Sequence, residues 1–114
     1  MSQAPRRELA VPLPVAVRRS DGSCRSEHLV NVSESGLCLH MQAPVSVGEA
    51  LALAFRLPPD DAPIEAACKV VWTSHAGETH PVPRLFETGL FVVGMSDAHR
   101  ARIGAFVRAQ VDRS

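Results

Sequence analysis

The sequence lacks a long hydrophobic run. No apolar stretch approaches the roughly 20 residues that a helix needs to cross a bilayer. The opening segment, MSQAPRRELAVPLPVAV, has no extended apolar region and no small-residue cleavage site, so it lacks the features of a signal peptide. We therefore expect a cytoplasmic protein without membrane insertion.

The sequence also lacks net charge, because its 114 residues include 12 basic and 12 acidic side chains. Proteins that bind nucleic-acid polymers or membrane surfaces usually carry a basic excess, so we expect neither kind of partner. Lysine is nearly missing: Lys69 is the only one, and the other basic residues are arginines. Arginine suits phosphates and guanine edges. A GC-rich genome also produces many arginines, and composition leaves both explanations open.

Cysteine is scarce, and its spacing does not indicate a metal site. Cys24, Cys38 and Cys68 are odd in number and far apart, as is typical of reduced thiols. No Cys-x-x-Cys pair accompanies His75 and His80, which we interpret as solvated loop residues. The motifs of serine hydrolases, zinc hydrolases and phosphate-binding loops are missing. The sequence indicates a binding protein with no catalytic residues, no metal and no cofactor, rather than an enzyme.

Apolar residues that alternate with polar or small ones predict six short strands, at residues 14–19, 24–32, 37–41, 51–57, 64–72 and 85–93. Asp21-Gly22 is a strong hairpin signal between the first two strands. The period changes after Ser96, where Ile103, Phe106 and Val107 recur at helical spacing. The predicted fold is mainly β: a small six-stranded antiparallel barrel or sandwich in one domain, with a C-terminal helix over an open end or edge.

Two strands carry specific predictions about which side faces the core. In the second strand, alternation places His28, Val30 and Val32 on one face. In the fifth, Trp72 shares a face with the apolar residues before it, so we expect its ring to be mostly buried. The apolar face of that strand is Ile64, Ala66, Cys68, Val70 and Trp72.

The turn Asn31-Val32-Ser33-Glu34-Ser35-Gly36 spreads an amide, a hydroxyl and a glycine over six positions. Asn and Ser side chains often accept hydrogen bonds from backbone N–H groups a few residues on, and Gly tolerates a positive φ. These residues could thus serve only to shape the turn. A turn of this composition could equally be shaped to hold a ligand, and the turn by itself leaves both interpretations open.

The order of these segments resembles the PilZ domain family from about Arg6 to Val107. Members of that family carry Arg-x-x-x-Arg near the N-terminus and an Asp/Asn-x-Ser-x-x-Gly turn, and the second motif is complete at Asn31–Gly36. The strand ending Val70-Val71-Trp72 and the closing helix also match. By this resemblance the chain divides into a flexible N-terminal arm at 1–12, a PilZ-like barrel at 13–95, and a helix at 96–112 packed on the barrel.

The resemblance implies a regulatory adaptor that binds cyclic di-GMP, a bacterial second messenger, and signals to an unidentified partner protein. In such domains the arginine pair reaches the phosphates and the Hoogsteen edge of guanine, while the turn forms the facing wall. Carried over to this sequence, the ligand-binding residues are Arg6, Arg7, Asn31, Ser33 and Gly36.

The sequence departs from the family pattern at the second arginine. Counting from Arg6, the position holds Ala10; counting from Arg7, it holds Val11. A missing arginine removes one charge-assisted pair, worth roughly 1.5–3 kcal/mol. The alternative function is therefore a degenerate PilZ module that does not bind cyclic di-GMP and acts as a constitutive protein-interaction adaptor, for example in type IV pilus motility.

Overall fold

The computed structural model describes residues 6–58, 62–75 and 86–112. Within these residues the chain forms six strands and then one helix. They are β1 Arg6–Arg19, β2 Cys24–Ser33, β3 Gly36–Met41, β4 Ala50–Phe55, β5 Ile64–His75, β6 Phe86–Gly94 and α1 Asp97–Asp112. No helix in these ranges is both long and apolar enough to span a bilayer. The predicted mainly-β class with a C-terminal helix is confirmed.

The six strands close into one antiparallel barrel in the order β1-β2-β3-β6-β5-β4. Strand β4 pairs back with β1, from Val15 opposite Phe55 to Arg19 opposite Leu51. Closure gives the backbone groups of both outer strands a partner, which removes the exposed edges of an open sheet. The barrel is therefore the form adopted, rather than a two-sheet sandwich.

The β1–β2 hairpin turns at the predicted Asp-Gly pair. Gly22 has a φ of 89°, in the left-handed region that glycine adopts without steric cost. The Asp21 carboxylate accepts hydrogen bonds from the Ser23 backbone N–H at 2.8 Å and from its hydroxyl at 2.6 Å. These bonds hold the pKa of Asp21 below its ordinary value. Local chemistry alone accounts for this turn.

The barrel interior is filled by the predicted alternating residues of β3, β4 and β5. Each of these side chains is at most 5% exposed: Leu37, Leu39, Met41, Leu51, Leu53, Phe55, Leu57, Ile64, Ala66, Cys68 and Val70 (Leu57 lies just after β4). Alternation predicts this face because side chains in a strand point to opposite sides in turn.

Helix α1 packs against β1 and β2 and buries Ile103 and Val107 in the same apolar core. Its N-terminus is capped by Ser96, whose Oγ accepts the His99 backbone N–H at 3.1 Å. The cap satisfies one of the N–H groups that have no partner within the helix. The predicted helix is confirmed, beginning one residue later than expected.

Strand β1 begins earlier than the sequence indicated. Residues 6–12, assigned to an arm, form the first half of β1, and the first three of them pair with the end of β2. The register there is Arg6↔Ser33, Arg7↔Val32 and Glu8↔Asn31. Pairing then becomes irregular between Glu8 and Leu13, the stretch that contains Ala10. Residues 1–5 of the predicted arm lie outside the described residues.

The predicted inward face of β2 is wrong. Glu27 and Leu29 point inward, at 1% and 0% exposed, whereas His28 is exposed. The pairing with β3 then slips between Leu29 and Asn31, which leaves Val30 as an extra residue. A bulge of this kind exchanges the two faces for every later residue of the strand. Val32 is therefore buried as predicted.

An ion pair joins β1 to the loop before β4. Arg19 Nε and Nη2 donate to the two carboxylate oxygens of Glu49 at 2.7 and 3.0 Å, and the side chains are 29% and 15% exposed. The hydrogen bond from Arg19 lowers the pKa of Glu49 below its ordinary value of 4.5. A carboxyl group with a lowered folded pKa stabilises the fold above its unfolded pKa. It loses that contribution as the pH falls through the folded value.

We expect Glu49→Gln to lower the free energy of unfolding by about 1 kcal/mol at neutral pH, because a bidentate, partly buried pair is lost. The deficit should shrink toward zero as the pH falls below the folded pKa of Glu49, where the wild type also loses the pair. Urea unfolding at neutral and acid pH measures both values. Glu65→Gln, on an exposed side chain of β5, is the control and should change little. A deficit that is constant with pH would contradict the prediction.

Candidate functional site

The turn between β2 and β3 is held by one buried side chain. Ser33 is 1% exposed, and its Oγ accepts the backbone N–H groups of Gly36 at 3.0 Å and of Ser35 at 3.4 Å. The same hydroxyl donates to the Gly36 carbonyl at 3.0 Å. Its donor and acceptor capacity is thus used within the turn. Ser33 therefore sets the shape of the turn, while a role of the turn in holding a ligand stays a prediction.

Gly36 does not have the positive φ that the sequence suggested. Within the described residues, positive φ angles occur at Gly22 and Gly48, so the suggestion for Gly36 is wrong. The chain can reverse without it because the Ser33 hydroxyl closes the turn. Gly36 instead begins β3 directly opposite Phe91 of β6. It therefore places no side chain next to this ring, which is 51% exposed.

Four residues on four neighbouring strands line up across the outer wall of the barrel. We call them the outer row: Asn31 of β2 pairs with Cys38 of β3, Cys38 with Gly89 of β6, and Gly89 with Trp72 of β5. The neighbours of Cys38 and of Gly89 along their strands are buried, so these two positions face outward. Asn31 is half-buried and Trp72 is exposed, each just after a bulge. Three strand spacings separate Asn31 from Trp72, about 14 Å. The outer row thus offers an amide at one end and an aromatic ring at the other.

Trp72 is the main departure from the sequence prediction. The pairing of β5 with β6 slips between Val70 and Trp72, so that Val71 is an extra residue and Trp72 turns to the outer wall. The side chain is 40% exposed instead of buried. Its indole lies against Gly89, in the space that a β-carbon would occupy. Gly89 therefore allows the ring to lie on the sheet with part of its surface open.

A second row on the same wall lies beside the first, nearer to the turn. Phe91 pairs with Gly36 on one side and with Lys69 on the other. Lys69 is exposed, as is Phe91. This wall therefore combines two partly exposed aromatic rings with the chain's only lysine. Aromatic rings stack on nucleobases, and cations pair with phosphates.

The cysteines differ in their surroundings. Cys68 is buried in the core, and this burial raises the pKa of its thiol to about 12. Cys24 is exposed, and Cys38 is half-buried in the outer row. No group of His, Cys, Asp and Glu within the described ranges is arranged to hold a metal ion. His75 is the last residue of β5 and pairs with Phe86, so its assignment to a loop is wrong. The predicted solvation of His75 and the whole prediction for His80 concern parts of the chain outside what is described.

The five predicted ligand-binding residues come together at one end of β1, β2 and β3. Arg6 and Arg7 pair through their backbones with the end of β2, next to Asn31, and Ser33 and Gly36 form the turn beyond it. The sequence did not predict that Trp72, Cys38 and Phe91 lie on the same outer wall. One signal was available: Gly89 interrupts an apolar strand, and glycine within a strand often marks a bulge or the close approach of another group.

The family model described as the PilZ domain matches residues 2–109. No curated protein sequence matches this chain. Solved structures do match it. The inhibitor of motility of Bacillus subtilis, MotI/DgrA, has a TM-score of 0.78 at 18% identity, over 98% of this chain and 52% of that one. The YcgR protein of Escherichia coli in complex with c-di-GMP has a TM-score of 0.77 at 10% identity, over 98% and 46% of the two chains.

This chain spans about half the length of these first structures. The isolated PilZ domain of Escherichia coli YcgR with c-di-GMP is nearer in size. It has a TM-score of 0.72 at 12% identity, over 98% of this chain and 95% of that one. At such low identities the structural likeness shows a shared fold.

Proposed function

Because the chain belongs to the PilZ domain family, we propose that it is a regulatory receptor for cyclic di-GMP that signals to a partner protein. The ligand lies on the outer row, between the Arg6–Arg7 segment and Trp72. The observation that carries the proposal is the alignment of Asn31 and Trp72 on the outer wall of the barrel beside the start of β1.

The chemistry of this wall suits a cyclic dinucleotide, which carries two purine bases and two phosphates. Guanidinium groups pair bidentately with phosphate and with the O6 and N7 acceptors of guanine, which is the role proposed for Arg6 and Arg7. The Trp72 ring supplies a stacking surface for one base. The Asn31 amide offers both a donor and an acceptor to a base edge.

Similar structures support the same ligand. The two Escherichia coli YcgR structures described above contain c-di-GMP. The Bacillus subtilis protein of similar fold is an inhibitor of motility, which is a regulatory rather than a catalytic role. By extension from these proteins, the chain described here acts on a partner when it binds the nucleotide.

The second arginine of the family motif is missing, and this favours a second candidate function. With Ala10 in that position the barrel could serve as an interaction module independent of the nucleotide. Exposed apolar side chains of β5 and β6 support a protein partner in either case, because apolar patches on a folded surface mark interaction sites. They are Val71, Phe91 and Val93, at 49%, 51% and 58% exposed.

Isothermal titration of the full chain with cyclic di-GMP separates the two functions. We expect saturable binding in roughly the micromolar range, because one charge-assisted pair of the motif is absent. GMP at the same concentration is the control, and it should produce far less heat because it lacks the second base and phosphate. A flat titration would reject the receptor and leave the nucleotide-independent adaptor.

Thiol labelling shows where the ligand binds. In a Cys24→Ser variant we expect iodoacetamide to label Cys38 slowly and Cys68 hardly at all, because the raised pKa of the buried Cys68 thiol keeps it protonated. Saturating cyclic di-GMP should slow the labelling of Cys38 at least roughly tenfold, since the ligand covers the outer row. Mass spectrometry of the Cys38 peptide measures the rate. Binding without protection of Cys38 would place the ligand elsewhere.

A further inference from the structure

The tip of the Asn31–Gly36 turn is attached to helix α1 as well as to the sheet. Arg100 of α1 donates from Nη1 to the Glu34 carbonyl at 2.7 Å, in a partly buried contact. The next carbonyl, that of Ser35, accepts the Val92 backbone N–H of β6 at 3.0 Å. Both carbonyls at the tip therefore have partners outside the hairpin.

The Glu34 side chain lies on the same face of α1. A β-carbon added to Gly104 would come within 3.1 Å of the Glu34 carboxylate and 3.2 Å of Arg108 Nη1. Arg100, Gly104 and Arg108 are spaced four residues apart, so they form one stripe along the helix. We call it the α1 stripe. An acidic residue at the turn thus faces two arginines across a glycine that leaves room for it.

We infer that Arg100 is a positioning residue for the ligand-binding turn, and that the α1 stripe couples the shape of this turn to the position of helix α1. This inference about Arg100 rests on the proposed function, because it treats the turn as one wall of the nucleotide site. Ser33 fixes the base of the turn through its hydroxyl. Arg100 fixes the tip, where the Ser33 hydroxyl makes no contact with the Glu34 carbonyl.

The coupling follows from the contacts at each end. A charged donor on a carbonyl forms a strong hydrogen bond, so the turn and the first turns of α1 are held together. A ligand that shifts the turn must shift or break this bond, and a partner that moves α1 must act on the turn in the same way. By linkage, each event changes the affinity for the other by the same factor.

The chain offers a matched control on the same helix. Arg102 also donates to a backbone carbonyl, from Nη2 to Ala62 at 2.8 Å. Its contact lies before β5, away from the Asn31–Gly36 turn. Arg100→Ala and Arg102→Ala therefore remove the same kind of bond from the same helix, one at the proposed site and one away from it.

Amide exchange of the ligand-free protein tests the positioning role directly. We expect Arg100→Ala to speed exchange of the Gly36 and Val92 N–H groups by roughly tenfold, because the tip of the turn loosens. Arg102→Ala should leave both amides unchanged. Arg100→Lys should restore part of the protection, since one ammonium donor can still reach a single carbonyl. Unchanged exchange at Gly36 and Val92 in Arg100→Ala would overturn the inference, whether or not the protein binds a nucleotide.

Titration with cyclic di-GMP tests the consequence for binding. We expect Arg100→Ala to weaken the affinity by roughly tenfold, within the range typical of couplings between sites, and Arg102→Ala to match the wild type. Gly104→Ala is a second variant that should fold well, since alanine favours helices. Its β-carbon displaces Glu34, so it should weaken binding more than Arg102→Ala. If the wild type and Arg100→Ala bind with equal affinity, the coupling between the turn and helix α1 is overturned, but the positioning role of Arg100 is not. If the wild type does not bind cyclic di-GMP, the proposed function is rejected. The amide-exchange experiment then decides the positioning role of Arg100 by itself.

Discussion

Trp72→Ala is expected to weaken cyclic di-GMP binding by about one to two decades while leaving the barrel folded. The magnitude follows from base–aromatic stacking, worth roughly 1–3 kcal/mol per base. The side chain is 40% exposed and lies on Gly89 at the outer wall. Its loss should therefore cost much less stability than the roughly 3–5 kcal/mol expected for a tryptophan buried in a core. Titration of the nucleotide and urea unfolding measure the two effects separately.

Three further variants test whether the Trp72 ring itself is responsible for the change in affinity. Trp72→Phe keeps an aromatic face and should retain most of the affinity. Gly89→Ala should weaken binding although Trp72 is intact, because the new β-carbon takes the space of the indole. Val71→Ala, on the exposed neighbour in the same bulge, should bind like the wild type. A Trp72→Ala protein that unfolds, or that binds normally, would contradict the assignment of this ring as a stacking surface.

Ala10→Arg is expected to tighten cyclic di-GMP binding by about one to two decades. The substitution completes Arg-x-x-x-Arg from Arg6 and adds one charge-assisted pair, worth roughly 1.5–3 kcal/mol. Residue 10 lies in β1, in the irregular stretch just after the pairing of Glu8 with Asn31. This position in the strand is close to the Asn31 end of the outer row. Isothermal titration of wild type and variant measures the gain.

The control for Ala10→Arg is Pro12→Arg, which adds the same charge at an exposed position of β1 that lies outside the motif spacing from both Arg6 and Arg7. A general electrostatic effect would raise the affinity of both variants and would fade with salt, whereas a specific pair would favour Ala10→Arg. Arg6→Ala in the Ala10→Arg background should remove most of the gain, since the two guanidinium groups act on one ligand. Flat titrations of both wild type and Ala10→Arg would end the receptor hypothesis and support the nucleotide-independent adaptor.

The Asn31–Gly36 motif shows which contacts of the turn can be predicted from the sequence and which cannot. Its residue types correctly indicate a hydrogen-bonded turn, because the Ser33 hydroxyl needs only neighbours within three positions. The same pattern does not show that Arg100, 66 positions away from Glu34, holds the tip. A contact of that sequence separation depends on where the helix docks, and no local rule gives the docking position.

The sequence by itself determined the elements whose physics is local. Alternation placed Leu37, Leu39 and Met41 inside, Asp21-Gly22 formed the hairpin, and Ser96 capped the helix. In each case the deciding interactions lie within a few residues, or come from the transfer of one face of a strand out of water.

Only the tertiary structure decided which side of the barrel carries Trp72. The bulges at Val30 and Val71 arise from the pairing of each strand with its neighbour, and one extra residue exchanges inside and outside for the rest of the strand. A pattern of period two continues through a bulge without a visible break, so the sequence predicted a buried ring. Closure of six strands then brought Asn31, Cys38, Gly89 and Trp72 into one row. The outer row exists because of register, which is a property of pairs of strands and not of any one segment.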